Sequence, residues 1–425
     1  MASRRNFLAG LGAASILRAD ALAGVIRAGT IAGSKIPAEV ARDEDYWAEI
    51  RRSFDADRTL INLNHGGVCP APAPVLEAQI RDIRFANAAP AHQLWDVLEP
   101  RVESVRRELA REFGCDPEEM AITRNASEGM QTLISGIDLK PGDEVLATNQ
   151  NYGRMMTAWD QRARREGIVV RRISLPTPLP SPSAVVERFR DAMTPRTRVV
   201  EVTHVVNLTG AILPVREIVA MARQRGAETF VDGAHAFAQI PTSRDELDCD
   251  YYAASLHKWL LAPIGTGMLY VRKAKIRSIW PLMAAKPEWD GDIRKFEEIG
   301  THPAANHNAV ASALAFHRGI GVDRKLARLK YLRDRWAARV SEGNPRARPL
   351  SPIDDAQASG IGLLGIEGVD PRRLKEHLWG MHRIITAAIV HDEFRGLRVT
   401  PNVDTSLDDV DTFAEAVLGA IPKLG

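Results

Sequence analysis

Between residues 120 and 273 the chain alternates short β-rich runs with longer stretches of helical periodicity, a pattern that few folds accept. The β-rich runs lie at 120–123, 144–148, 168–174, 199–204, 229–231, 251–255 and 268–271, with helical patterns at 128–137, 154–166, 183–193 and 215–224. Strands separated by helices favour parallel pairing, because a crossover helix returns the chain to the same end of the sheet. An α/β domain with a mainly parallel sheet is therefore expected, and in such sheets the loops at the carboxyl ends of the strands build the site. Beyond residue 310 the character changes. Long helices at 310–319 and 325–341 precede strand-like 360–366, a helix at 371–381, strands at 384–389 and 397–400, and a helix at 407–421. That is a smaller α+β unit. The expected organisation is an export segment over 1–23, an N-terminal arm over 24–60, a large domain over 61–310 and a small domain over 311–425.

Composition removes several function classes. Lysine and arginine total 56 against 54 acidic residues, so the formal charge is only +2 and no basic face for nucleic acid is implied. Three cysteines, Cys69, Cys115 and Cys249, lie far apart without CxxC spacing, so neither a disulfide framework nor a zinc site is expected. No GxSxG elbow or HExxH motif supports a cofactor-independent hydrolase. The first residues read differently. Arg4-Arg5-Asn6-Phe7-Leu8 resembles a twin-arginine export signal, the apolar stretch 8–17 is too short to span a bilayer, and Ala21-Leu22-Ala23 offers a cleavage site. An exported protein, periplasmic and without a stable membrane anchor, is expected.

Three short motifs carry chemistry. Ser255-Leu256-His257-Lys258-Trp259, followed by Gly265-Thr266-Gly267, ends a strand with a lysine placed to form a Schiff base. Upstream, Thr229-Phe230-Val231-Asp232-Gly233-Ala234-His235 is a buried strand ending in a carboxylate. An ionised acid there suits the pyridinium nitrogen of pyridoxal 5'-phosphate (PLP), each charge holding the other. Thr123-Arg124-Asn125-Ala126-Ser127-Glu128-Gly129 runs from a strand into a helix start, where free amides and the helix dipole suit a phosphate. Ser127 serves equally as an ordinary helix N-cap on the same residues.

In this order the motifs resemble the class V aminotransferase family of fold-type I PLP enzymes. Within it the chain looks most like the branch related to isopenicillin N epimerase and to exported enzymes that tailor siderophore peptides. The resemblance implies Lys258 as the Schiff-base lysine and Asp232 as the pyridinium partner. Ser127, with the amides of Ala126 and Glu128, would cradle the phosphate, helped by Ser255 and His257. Tyr152 falls where an aromatic residue stacks on the ring, and Asn207 and His235 near the ring hydroxyl. Thr301 resembles a residue that reaches the phosphate of a neighbouring subunit, implying a homodimer with shared sites. Arg398 resembles an arginine that grips the substrate carboxylate in a two-bond fork. Asn64 and His65 lie on the loop that faces the substrate.

The cofactor stabilises a carbanion at the α-carbon and the protein decides its fate. Lys258 is the expected acid–base there, and Tyr152, His65 or His235 are candidates to deliver a proton on the opposite face. Transamination and epimerisation both remain open on these residues. Desulfuration is disfavoured, because no cysteine follows Cys249 and Cys69 is a poor substitute nucleophile. A PLP-fold binding protein without catalysis is the non-enzymatic alternative, and it would be expected to lose Lys258 or Asp232. Export favours an amino-acid residue within a peptide-like metabolite as substrate.

Overall fold

The computed structural model describes residues 24–352 and 355–425, so the export segment over 1–23 lies outside the described residues. A two-residue strand, β1 (Ile61–Asn62), precedes seven strands of the main sheet. These are β2 (Met120–Thr123), β3 (Glu144–Thr148), β4 (Val169–Ile173), β5 (Thr197–Thr203), β6 (Glu228–Asp232), β7 (Tyr251–Ser255) and β8 (Gly267–Val271). Their order is β2-β8-β7-β6-β5-β3-β4. The pairs from β4 through β7 are parallel, and only β8 runs against its neighbours β2 and β7.

The central strands are apolar along their length because helices cover both faces. Alternation sends Phe230, Tyr251 and Leu269 to one face, with Trp159 and Met130, and Val231, Tyr252 and Tyr270 to the other. The second face is completed by a helix, Glu99–Phe113, on which Val102, Val105, Leu109 and Phe113 recur every three or four residues. Phe113 meets Tyr252 with ring centroids 4.7 Å apart. Fold-type I architecture results: a mostly parallel sheet between helices, with a smaller C-terminal unit.

That unit holds β9 (Ala347–Pro349), β10 (Gly362–Ile366), β11 (Ile384–Ile385), β12 (Ala387–Val390) and β13 (Arg395–Val399). β12-β13-β10-β9 form an antiparallel sheet packed on helices Val322–Gly343 and Leu407–Leu424, where Trp336 meets Phe413 edge-on at 5.6 Å. The segment read as one strand over 384–389 is two, β11 and β12, serving different sheets. β11 pairs in parallel with β1, and Leu63 is buried in the small unit's core. Residues 61–64, assigned by sequence to the large domain, thus pack with the small one and carry the following loop across to the main sheet. The N-terminal arm has its own core. Tyr46, Trp47 and Ile50 from helix Glu44–Arg51 gather with Phe54, Phe316, Val403 and Leu261, the last only three residues beyond Lys258.

Candidate active site

Parallel order brings the carboxyl ends of β5, β6 and β7 side by side, and these supply Thr203, Asp232 and Ser255. One cleft collects these residues with Ser127, Tyr152, Asn207, His235, His257 and Lys258. Two glycines make the close approaches possible. A Cβ on Gly233 would lie 2.0 Å from the Tyr252 ring, and one on Gly267 would lie 2.5 Å from the Asn125 backbone. Neither position tolerates a side chain without moving the turn after Asp232 or the helix start at Asn125.

Lys258 reaches into the cleft, its Nζ 3.0 Å from His235 Nε2. Burial lowers its pKa to about 8, with Asp232 pulling upward and Arg398 pushing down. Asp232 is buried. Desolvation raises its pKa, while the Ala234 amide, donating to Oδ1 at 2.9 Å, and the charge of Lys258 offset part of that. Behind them Glu201, also fully buried, is raised to about 7 by desolvation against hydrogen bonds from Asn151 and Trp159. The turn after Lys258 holds strain, with Leu261 in the left-handed region at φ 65°.

At the helix Ala126–Gly136 the expected cradle of Ser127 with the amides of Ala126 and Glu128 is reduced. Asn125 caps the helix by accepting from Glu128 N at 2.8 Å, and Glu128's carboxylate is turned back to Arg124. The Ala126 amide donates to Ser255 Oγ at 3.0 Å. Only the Ser127 amide has no partner among the described residues, so Ser127 and the hydroxyl proton of Ser255 are what this end offers an anion. His257 bonds Thr266 O through Nδ1 at 3.0 Å, leaving Nε2 for the cleft.

Two expected substrate residues are placed differently from a third. Arg398 is buried behind Asn207, its Nη atoms donating to Asn207 O and Asn64 Oδ1, each at 2.9 Å. Its Nε has no partner, and the one acidic group acting on it is the Tyr152 phenol, so among the described residues this buried cation has no carboxylate counter-charge. His65, by contrast, is turned away from the cleft. Its Nε2 lies 3.3 Å from Asp404 Oδ1 and its Nδ1 bonds Thr400 O at 3.2 Å. The expectation of a substrate contact at His65 is corrected: a buried carboxylate across the domain junction claims the ring. Thr301 lies outside the cleft too, in a separate surface hollow with Trp95, Arg106 and His307.

Residues 61–387 match the model of the family described as Aminotransferase class-V. The chain belongs to the class V aminotransferases. It is 33% identical over 393 residues to an isopenicillin N epimerase of Amycolatopsis lactamdurans, covering 87% of this chain and 98% of that one. An isopenicillin N epimerase of Streptomyces clavuligerus is 30% identical over 390 residues, with 87% and 97% covered. Among solved structures, the apo cysteine desulfurase of Thermococcus onnurineus NA1 superposes with a TM-score of 0.78 over 89% of this chain and 98% of that one, at 22% identity. A C-DES mutant with glycine covalently linked to its PLP cofactor gives 0.77 over 88% and 99%, also at 22%.

The class V chain is a PLP-dependent enzyme, and its cleft fits that cofactor on the structure's own terms. Besides the partly compensated Asp232 carboxyl and the unpartnered Ser127 amide, Thr203 Oγ1 and Asn207 Oδ1 are buried at the cleft without a hydrogen bond. Polar groups buried in this state cost stability unless a ligand completes them. Asn125 and Trp159, which hold this frame together, carry no obvious chemical signature in sequence. Asn125 is nonetheless visible as an Asn preceding a helix, and Trp259 stands next to the lysine.

Proposed function

We propose that the enzyme inverts configuration at the α-carbon of an amino-acid residue carried on a peptide-like metabolite. The observation that carries this reading is similarity along nearly the full length of two isopenicillin N epimerases, joined to a cleft with a proton-transfer group on hand. When bound, PLP withdraws electrons from the substrate and acidifies its α-proton. Lys258 would carry the cofactor and then hold and return that proton, its burial keeping the amine near neutral-pH titration. Asp232 would hold the cofactor's cationic nitrogen, Ser127, Ser255 and His257 its phosphate, and Asn207 and His235 its hydroxyl. Arg398, held by Asn64 and Asn207 with no carboxylate beside it among the described residues, would receive the substrate carboxylate. Tyr152, on the cleft wall at the start of helix Gly153–Glu166, would serve the face opposite Lys258.

Persulfide chemistry is the weaker reading for this chain, although cysteine desulfurases are among its relatives. Burial pushes Cys115 and Cys249 up to about 12 and Cys69 higher still, which suppresses the thiolate such chemistry needs. Export as a folded protein and a shared-site homodimer complete the proposal. The arginine pair supports the first. The second is supported by Thr301 lying away from its own cleft, on a surface that exposes Trp95 and, beside the Lys258 turn, Ile264. Cell fractionation and sedimentation velocity test these two points.

The reaction is tested with purified holoenzyme in heavy water, using free amino acids and small peptides followed by proton NMR. Loss of the α-proton signal without keto acid is expected. Stoichiometric keto acid would establish transamination and overturn the epimerase reading.

A further inference from the structure

The lysine of the cleft sits at the end of a hydrogen-bond chain whose proton positions are fixed from the far side. Trp259 Nε1 donates to His235 Nδ1 at 3.4 Å, and His235 Nε2 lies 3.0 Å from Lys258 Nζ. An indole nitrogen only donates, so His235 Nδ1 must be the acceptor. A neutral imidazole whose Nδ1 accepts carries its proton on Nε2. That proton points at Lys258 Nζ, which can receive it only as an unprotonated amine. If Lys258 were an ammonium, Nε2 would have to accept, and the displaced proton on Nδ1 would face the indole N–H, two donors in a buried space. Trp259 is itself anchored. It is fully buried, and its carbonyl accepts from Lys325 Nζ at 2.6 Å, with that amine also 2.9 Å from His317 Nδ1.

We propose that Trp259 is a positioning residue that fixes the tautomer of His235 and thereby keeps the Lys258 amine unprotonated and ready for cofactor capture. The inference rests on the reading that Lys258 carries the cofactor. The charged groups bearing on the chain are Asp232, which opposes the effect, and Arg398, which faces both His235 and Lys258 and assists it; Cys69 beside Lys258 is a titratable group that burial keeps as a neutral thiol. Burial alone already disfavours imidazolium at His235, so the neutral ring is the form to which the tautomer argument applies.

Two measurements on cofactor-free protein test this. Nitrogen-15 NMR of histidine-labelled protein at pH 7, with the His235 signals identified by their loss in His235→Gln, is expected to show the Nε2–H tautomer. An Nδ1–H tautomer or an imidazolium overturns the proposal in the unmodified chain, whatever any variant does. Second, the rate of Lys258 modification by an amine-directed reagent is followed by mass spectrometry against pH. In Trp259→Phe the midpoint is expected to rise by about one pH unit, roughly tenfold slower modification at neutral pH. A variant that melts at lower temperature but keeps both tautomer and midpoint shows Trp259 to be packing alone, and also overturns the idea. Borohydride reduction of PLP-loaded enzyme, with the pyridoxyl group mapped to its residue, separately tests the underlying assignment of Lys258.

Discussion

Two buried polar clusters lie back to back in this molecule, separated by Gly66, where an added Cβ would come within 3.1 Å of Thr400 and 3.4 Å of His235. On one side His65 and Asp404 form an opposite-charge pair, Nε2 and Oδ1 lying 3.3 Å apart, although neither atom completes a hydrogen bond. On the other, Arg398 has no carboxylate beside it among the described residues, the Ser127 amide and Asn207 Oδ1 have no partners, and Asp232 depends on a single amide and on Lys258. Both clusters contain a buried histidine and are drawn from both units of the chain, although Lys258, Ser127 and Asn207 are only partly buried where the side chains of His65 and Asp404 are buried. What separates them chemically is whether the buried charge has an opposite charge beside it. A matched buried charge is a fastening between the units; an unmatched one is a cost that persists because a ligand removes it.

Substitutions at the centre of each cluster should therefore fail in opposite ways. Lys258→Ala is expected to abolish covalent PLP retention and lower α-proton exchange by roughly 10³-fold or more, as removal of the acid–base group implies. Melting of its cofactor-free form should shift far less, since the amine's contacts, with His235 and Asp232, stay within the cleft and do not fasten the two units together. Asp404→Ala should do the reverse. It leaves a buried His65 facing a void, a loss of about 3–5 kcal/mol, read as a lower urea midpoint, while the folded fraction still takes up PLP. Large destabilisation in the first variant, or cofactor loss at full stability in the second, would break the distinction.

How far each cluster can be read from sequence follows from the range of its contacts. The motifs around Asp232 and Lys258 are local, each a strand with the residues that follow it. β2, β3 and β7 are bounded by sequence where the structure bounds them, because apolar strands between polar turns are a short-range signal. His65 is not legible in this way. Its orientation is decided by Asp404, a residue on the other side of the domain junction, and the loop sequence Asn64-His65-Gly66-Gly67 is equally consistent with a side chain facing the substrate. The cradle at Ala126–Glu128 is an intermediate case. Its helix start is plain in sequence, but that Ser255 and Asn125 occupy the amides of Ala126 and Glu128 depends on strand order and cap geometry. The helix Glu99–Phe113 has a clear three-to-four-residue apolar period, yet it bears no chemical motif that would tie it to the site.

The pairing contrast also has a pH signature. Burial by itself would lower His65, but the Asp404 charge overrides it and the pKa is raised; burial would raise Asp404, and His65 lowers it. A raised histidine stabilises fully below its unfolded value near ~6.5 and loses that contribution as pH climbs through the folded value. A depressed aspartate stabilises above ~3.9 and loses its contribution as pH falls through the folded value. The pair should thus add most between about pH 4 and 6.5. Lys258, lowered to about 8, acts with the opposite sense: the folded state binds its proton less readily, so stability rises with pH between about 8 and the unfolded lysine value near ~10.4. Unfolding free energies of wild type minus His65→Gln/Asp404→Asn, measured in urea from pH 3 to 9, should peak in the acidic window and shrink above it. A flat difference would mean that the pair is held by shape and not by charge.

The smallest effect is expected at Asn125, the one residue that belongs to both descriptions, since it caps a helix and lines the cleft. As a cap its side chain satisfies the Glu128 amide, and Asn125→Ala should cost about 1 kcal/mol. Freed from the cap, the first turn also frays, and with it the Ser127 amide proposed to meet the phosphate. PLP affinity should then fall by no more than tenfold, measured by cofactor fluorescence titration. Asn125→Ser separates the two contributions, because serine caps nearly as well while its shorter side chain changes the cleft wall. If stability and affinity both recover with serine, the cleft inherits its shape from the cap, and the open cluster depends on paired structure at its edge. If stability recovers and affinity does not, Asn125 meets the ligand directly, and its partnered amide contact conceals a second, cofactor-facing role.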